Sequence, residues 1–168
     1  MTTKQAVEAR TSSALLASLV RRGRLEHAAR GVYRVGKVPV TPYDPHMLAV
    51  LWTGFPEACL SHDSALDVWE ISNINPNEIH VTVGVHRRIE RTIAHECVIH
   101  RQDLRPDQVT WWESISTVTA VTAIWQCLET GVPTCLIRQA IERSARTGVV
   151  AGAQREELTR LMEARYAE

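Results

Sequence analysis

The sequence predicts an α+β protein in two parts, a small helix–hairpin head at residues 1–38 and a mixed α+β domain at residues 39–168. Three observations lead to this prediction. A helical pattern near the N-terminus runs directly into two short strand-like segments. Alternating apolar residues further along the chain predict paired strands. Amphipathic segments that fill the C-terminal part predict helices that pack on those strands.

Residues 11–22 have the pattern of a capped, amphipathic helix. Ser12 and Ser13 are residue types that favour the start of a helix. Gly23 is expected to end the helix in a left-handed conformation. The helix is expected to bury one apolar stripe, which comprises Leu15, Leu16, Leu19 and Val20.

The residues after this helix predict a short hairpin. Two strand-like segments, 25–28 and 32–35, flank a turn expected at Arg30 and Gly31. A shorter helix is expected at residues 1–9, with a turn at Arg10 before the main helix. Two helices joined by a turn and followed by a basic hairpin have the pattern of a winged helix-turn-helix. This fold normally has one more helix before the pair, so the head is predicted to be truncated, or covered by another subunit.

The charge of the head favours a nucleic-acid partner. Residues 1–37 contain eight basic and two acidic side chains, a net charge of +6, although the whole chain is neutral. The alternative is a basic helix–hairpin that packs on the rest of the protein. If the head binds DNA, three residues at the start of the main helix are expected to contact base edges, namely Arg10, Ser12 and Ser13. The residues expected to contact phosphates or line the hairpin are Lys4, Arg21, Arg22, Arg24, Arg30 and Arg34.

The domain after the head is predicted to contain helices on both sides of a strand-rich middle. Three prolines at residues 36–45 predict a linker. Helices are expected at 46–52 and after Ser61, and strands at 79–85 and 97–101 in one sheet. An edge strand is expected at 109–112. The last three helices are expected at 118–129 (capped by Thr117), 134–146 and 153–167.

No catalytic residue, cofactor or metal is predicted. His62, Asp63 and Ser64 are adjacent, but the sequence lacks the GxSxG turn of many serine hydrolases. His62 is expected to start a helix and to hydrogen-bond to backbone. It could approach a metal-binding geometry with His80 and His100, but core or sheet-surface positions are favoured for all three. Nuclease activity is not expected, because the chain has only two lysines, both in the head.

The cysteines and tryptophans add two expectations. None of the four cysteines forms a CxxC pair, so reduced thiols of a cytoplasmic protein are expected rather than a zinc ribbon. No signal peptide or membrane span is visible. Trp111 and Trp112 cannot both face inward on a strand. One of them is expected either to contact a partner or to be covered by the same chain.

Five phrases, in this order and spacing, resemble the AbiEi family of bacterial antitoxins. They are RRGRLEHAARGVYRV at 21–35, CLSHDSALDVWEI at 59–71, IHVTV at 79–83, CVIHRQDL at 97–104 and STVTAVTAIWQC at 116–127. The resemblance implies a winged helix-turn-helix followed by an α+β antitoxin domain. It also implies a repressor that binds the promoter DNA of its own operon, with a possible homodimer on DNA, and a nucleotidyltransferase-like toxin as the opposed partner. The alternative is an antitoxin that neutralises the toxin by direct protein contact, without DNA binding.

Overall fold

The computed structural model describes residues 1–89 and 97–166, except for the side chain of Tyr166. The chain divides into two compact units, Met1–Ala58 and Cys59–Glu168. Each unit contains helices and a β-sheet, which confirms the predicted mixed α+β class. The predicted boundary after residue 38 falls within the first unit, because that unit also includes a helix at Asp44–Thr53.

The N-terminal unit consists of two short helices, a hairpin and a third helix. Their bounds are α1 (Thr3–Glu8), α2 (Ser13–Arg21), β1 (Leu25–Ala29), β2 (Val32–Val35) and α3 (Asp44–Thr53). Ser12 caps α2, and Gly23 has a φ of 66°, which confirms the left-handed conformation predicted after the helix. The small core of this unit contains Ala6, Leu16 and Leu25, with Leu19, Val20 and Tyr33 packed against it.

The predicted inward stripe of α2 is wrong at one position. Leu15 is 49% exposed, whereas Leu16 is buried. A stripe that includes both neighbours is wider than the surface that this small core can cover, and the core meets α2 on the side of Leu16 and Leu19.

The start of the chain is fixed to the hairpin. Thr2 and Gln5 form a capping box at the start of α1. Tyr33 N donates to Met1 O over 2.8 Å, and Thr3 N donates to Gly31 O over 2.8 Å. Thr2 also forms a β-bridge with Val32. These contacts hold the hairpin turn against the beginning of α1.

The second unit is built on a mixed five-stranded sheet. Its strands are β3 (Cys59–Leu60), β4 (Ile79–Val83), β5 (Cys97–Arg101), β6 (Val109–Trp112) and β7 (Ile115–Val118), in the order β5-β4-β3-β7-β6. β4 and β5 pair in parallel, which confirms that the two best predicted strands share a sheet. β6 lies at an edge of this sheet, as predicted.

The sequence-based assignment was wrong between Ile115 and Val118. These residues form β7 rather than the approach to a helix, and Thr119 rather than Thr117 caps the helix that follows. β6 and β7 form a hairpin through Glu113 and Ser114, which both have positive φ. Two such residues are the backbone requirement of a type I′ turn, normally met by Asn-Gly. The Glu-Ser turn therefore gives no recognisable hairpin signal in the sequence.

Helices complete the second unit. They are α4 (His62–Val68), α5 (Ala120–Thr130), α6 (Thr134–Arg146) and α7 (Gly152–Tyr166), and a turn of 3₁₀ helix covers Pro106–Gln108. α4, α5 and the inner faces of α6 and α7 share one apolar core with the sheet. No helix within the described ranges has the length and apolar character needed to cross a bilayer.

Candidate functional site

The predicted DNA-binding residues lie on the surface of the N-terminal unit, with one exception. The exposed ones are Lys4, Arg10, Ser12, Ser13, Arg21, Arg22, Arg24 and Arg30. Arg34 is half-buried. These residues lie on α1, α2, the hairpin and the turns between them.

The residues before and at the start of α2 combine a helix cap with exposed polar groups. Ser12 Oγ accepts a hydrogen bond of 3.2 Å from Leu15 N. This contact uses a lone pair of the hydroxyl and leaves its O–H as a donor. Ser13 begins the helix and is exposed, and Arg10 lies in the preceding turn with a φ of 57°. The start of α2 therefore presents two hydroxyls and one guanidinium.

Three arginines lie at the other end of α2. Arg21 is in its last turn, Arg22 follows as the C-cap, and Arg24 comes after Gly23. At 1.5 Å per residue, the helix is about 13 Å long, close to the ~12 Å width of the DNA major groove. The two ends of α2 therefore differ in character, with hydroxyls at its start and guanidinium groups at its end.

Arg34 has partners within the N-terminal unit. Its Nη1 lies 3.1 Å from Glu26 Oε2 and its Nε lies 3.1 Å from Asp44 Oδ2. The guanidinium also donates to the carbonyl of Val38. Hydrogen bonds from Thr41, followed by the charge of Arg34, hold the pKa of Asp44 below its usual range. Arg34 therefore links the hairpin to α3, and sequence reasoning had no local signal for its partner Asp44.

A second candidate site lies in the other unit, where three histidine rings meet. His62 begins α4, His80 lies on β4 and His100 lies on β5. The rings of His62 and His100 are stacked, with centroids 3.5 Å apart and planes inclined by 15°. His100 Nε2 lies 3.1 Å from His80 Nδ1. One ring nitrogen from each of the three residues falls within 4.8 Å of the other two.

The fold brings these rings together through strand register and a helix start. His100 pairs with Thr82 in the parallel ladder of β4 and β5. His80 is two residues before Thr82, so both side chains face the same side of the sheet. His80 N donates to Ser64 Oγ over 2.8 Å, a hydrogen bond that fixes the first turn of α4 against β4. The ring of His62 is thereby held beside the other two.

The backbone of His62 is held in an unusual conformation. His62 has a φ of 50°, a left-handed conformation that side chains of this size seldom adopt. Its N–H donates to Oε1 of the buried Gln126, and its Nδ1 lies 3.0 Å from Ser61 Oγ. The predicted helix start at His62 is confirmed. The ring was predicted to hydrogen-bond to a backbone group. Among the contacts described for the ring, its hydrogen-bond partner is instead the hydroxyl of Ser61.

The surroundings keep the three rings neutral. Burial, followed by the charges of His100 and His80, lowers the pKa of His62 to about 3. Burial and the charge of His80 lower the pKa of His100 to about 4. Burial also lowers the pKa of His80, although the charges of Asp63 and Glu78 oppose this effect. At neutral pH the cluster therefore offers uncharged imidazole nitrogens.

The cysteines do not extend either candidate site. Cys59 and Cys127 are buried, Cys97 is half-buried and Cys135 is exposed. Burial raises the pKa of Cys59 to about 12, which keeps this thiol protonated and unreactive. Cys127 Sγ donates to Asp63 Oδ1 over 3.6 Å.

No protein-family model matches the sequence, and no curated protein matches it either.

Proposed function

We propose that this protein is a DNA-binding antitoxin that represses its own operon and counteracts a nucleotidyltransferase-like toxin. The observation that carries the DNA-binding part is the exposed basic surface of α1, α2 and the hairpin. The toxin part rests on the resemblance of five sequence phrases to AbiEi antitoxins.

In the proposed complex, α2 lies in the major groove. Arg10, Ser12 and Ser13 contact base edges, since they are at the start of the helix. Phosphates are contacted by a separate set of exposed cations, namely Lys4, Arg21, Arg22, Arg24 and Arg30. Arg34 stays in its ion pairs with Glu26 and Asp44 and stabilises the hairpin.

A single N-terminal unit makes few contacts of this kind. Specific repressors commonly place two such units on an inverted repeat, with half-sites about one helical turn apart (~34 Å). We therefore expect two copies of the chain on one operator. Gel-shift experiments should therefore show two chains bound per operator, and the bound DNA sequence should be pseudopalindromic.

A gel-shift titration with the DNA upstream of the operon tests the proposal. The expected result is a discrete complex at low salt that weakens steeply as salt increases, because phosphate contacts release counterions. An unrelated DNA of equal length serves as the control and should bind more weakly. Absence of a complex at low salt, or binding that does not respond to salt, would rule out this mode of DNA binding.

Replacing Arg30 by alanine should weaken binding to all DNA sequences about equally. Arg30 is exposed beside Gly31 in the hairpin turn, and we expect its side chain to contact a phosphate. Losing one phosphate contact should make the salt slope shallower by about one unit. The contacts between Thr3 and Gly31 hold the turn in place, so the variant should remain folded. The slope of log K against log salt is the measurement.

Ser13→Ala is the matched comparison. Ser13 is exposed at the first position of α2 and carries no charge. Its removal should change affinity for particular base pairs and leave the salt slope nearly unchanged. Neither variant should impair toxin neutralisation if that activity belongs to the second unit. If Arg30→Ala abolished neutralisation while promoter binding persisted, this division of roles would be wrong.

A second candidate function is neutralisation by direct binding of the toxin. Trp111 favours it, because this side chain is 71% exposed on the edge strand β6. Exposed tryptophans and unpaired strand edges are both suited to protein contacts. Co-purification with the toxin separates the two proposals: a stable complex that Trp111→Ala disrupts, together with no DNA shift, would favour direct neutralisation.

A further inference from the structure

We propose that His62, His80 and His100 bind a divalent transition-metal cation, with Zn²⁺ as the preferred ion. The proposal is independent of DNA binding and of any toxin. It rests on the convergence of three imidazoles from α4, β4 and β5.

The nitrogen spacing fits a shared cation. Two imidazole nitrogens bound to one tetrahedral zinc ion at ~2.0–2.1 Å are separated by about 3.3 Å. His100 Nε2 and His80 Nδ1 are 3.1 Å apart, so little movement is needed for both to bind one ion. One nitrogen of His62 lies within 4.8 Å of both, and a rotation that separates its ring from the stacked ring of His100 would bring this nitrogen to the shared ion.

One of the three rings also has the outer hydrogen bond that metal-bound histidines usually have. The outer nitrogen of a metal-bound histidine normally has a hydrogen-bond partner that fixes its tautomer. Ser61 Oγ lies 3.0 Å from His62 Nδ1, which leaves Nε2 of His62 as the ligand atom. The left-handed backbone of His62, held by the hydrogen bond to Gln126, supports the same orientation. Strain of this kind persists where the surrounding structure enforces it.

A buried hydroxyl adds an independent observation. Thr82 is 1% exposed and pairs with His100 across the strands. Within the part of the chain that the structure describes, its Oγ1 has no hydrogen-bond partner. Buried hydroxyls are nearly always hydrogen-bonded. Because Thr82 faces the same side of β4 as His80, its unpaired hydroxyl is available to a water or anion that enters this side of the sheet.

The donor set decides the class of cation. Three neutral imidazoles suit zinc and the neighbouring first-row metals, whereas Mg²⁺ and Ca²⁺ prefer oxygen ligands. The charge of the nearby Asp63 raises the pKa of His80 and His100, and the same charge would favour a bound cation. Three histidine ligands leave a fourth position open, as in zinc sites that bind water or a small anion.

The test is a metal titration of the full chain without a histidine tag, after chelation and dialysis. We expect one equivalent of Zn²⁺ to bind, and Co²⁺ to give the visible absorption bands of a four-coordinate site. In NMR spectra of the wild-type protein, Zn²⁺ should shift the ring signals of three histidines and leave those of the others unchanged. Mg²⁺ at the same concentration should have no effect.

The variant that tests the assignment is His100→Gln, because His100 is half-buried on the edge strand β5 and its replacement is the mildest of the three. It should weaken Zn²⁺ binding at least tenfold. His86→Gln, at an exposed position, is the control and should bind as the wild type does. Circular dichroism confirms the fold of each variant.

Two results would overturn the proposal. One is that the wild-type protein binds no Zn²⁺ and shows no shift of histidine ring signals, which would make the cluster part of the core alone. The other is that His100→Gln binds Zn²⁺ as tightly as the wild type does, which would place the ion elsewhere. Neither result would bear on DNA binding.

Discussion

Replacing Leu66 by alanine is expected to reduce the free energy of unfolding of the second unit by about 2–5 kcal/mol. Leu66 lies on α4 and is 0% exposed within the main apolar core. Truncation removes its transfer free energy and leaves a cavity that close-packed neighbours cannot fill. Denaturant unfolding followed by tryptophan fluorescence measures the loss, since four of the five tryptophans belong to this unit.

Leu161→Ala is the matched control on α7. The leucine side chain at this position is 42% exposed, so its removal should change the free energy of unfolding by no more than about 0.5 kcal/mol. Equal losses at the two positions would contradict the packing of α4 in the core. Because α4 also carries His62, Leu66→Ala should weaken Zn²⁺ binding as the helix becomes less well held.

The parts of the fold that were predictable from the sequence have local signals. The start of α2 is marked by Ser12, whose hydroxyl caps the helix, and its end is marked by Gly23. The first hairpin was predictable from Gly31 between two strand-like segments. Each of these signals acts within a few residues, so the element can be predicted without knowing which distant residues it contacts.

The elements that the sequence did not reveal depend on distant contacts. β3 has only two residues, Cys59 and Leu60, and exists because it pairs with both β4 and β7. β7 was missed because its turn uses Glu113 and Ser114 in place of the usual Asn-Gly. Short strands of this kind are defined by pairing rather than by periodicity.

The candidate sites divide in the same way. The exposure of the arginines on α2 follows from helical periodicity, whereas the partners of Arg34 depend on the fold of residues that come later. The sequence favoured core or sheet-surface positions for His62, His80 and His100 over a metal site. Its geometry depends on the parallel register that places His100 opposite Thr82, and one residue of slippage would turn His100 to the other face.

The metal-free protein is expected to lose stability as pH falls below about 6.5. The folded pKa values of His62 and His100, about 3 and about 4, lie below the ordinary histidine value of 6.5, and that of His80 is also lowered. Between these values the unfolded chain binds more protons than the folded protein, so acidification favours unfolding. The contribution of the three histidines to the free energy of unfolding is therefore present above pH 6.5 and is lost progressively as pH falls toward 4.

The expected slope is about 1.4 kcal/mol per pH unit for each proton taken up on unfolding. Three histidines that each took up one proton on unfolding would give the largest slope. Because His80 and His100 are only half-buried, solvent screening should keep the measured slope below this value. Asp63 and Glu78 are the carboxylates whose charges act on the cluster. Measurements between pH 5 and 6.5 cover the range in which the histidines of the unfolded chain take up protons.

Unfolding free energies measured over this range, in the presence of a chelator, test the prediction. His100→Gln should make the slope shallower, because glutamine removes one buried titrating group and the charge that acts on His62. His86→Gln, at an exposed position, should leave the slope as it is. A slope that is the same in all three proteins would mean that the rings are not desolvated in solution. Saturating Zn²⁺ should raise the unfolding free energy at pH 7 and steepen its decline with acid, because metal and protons compete for the same nitrogens.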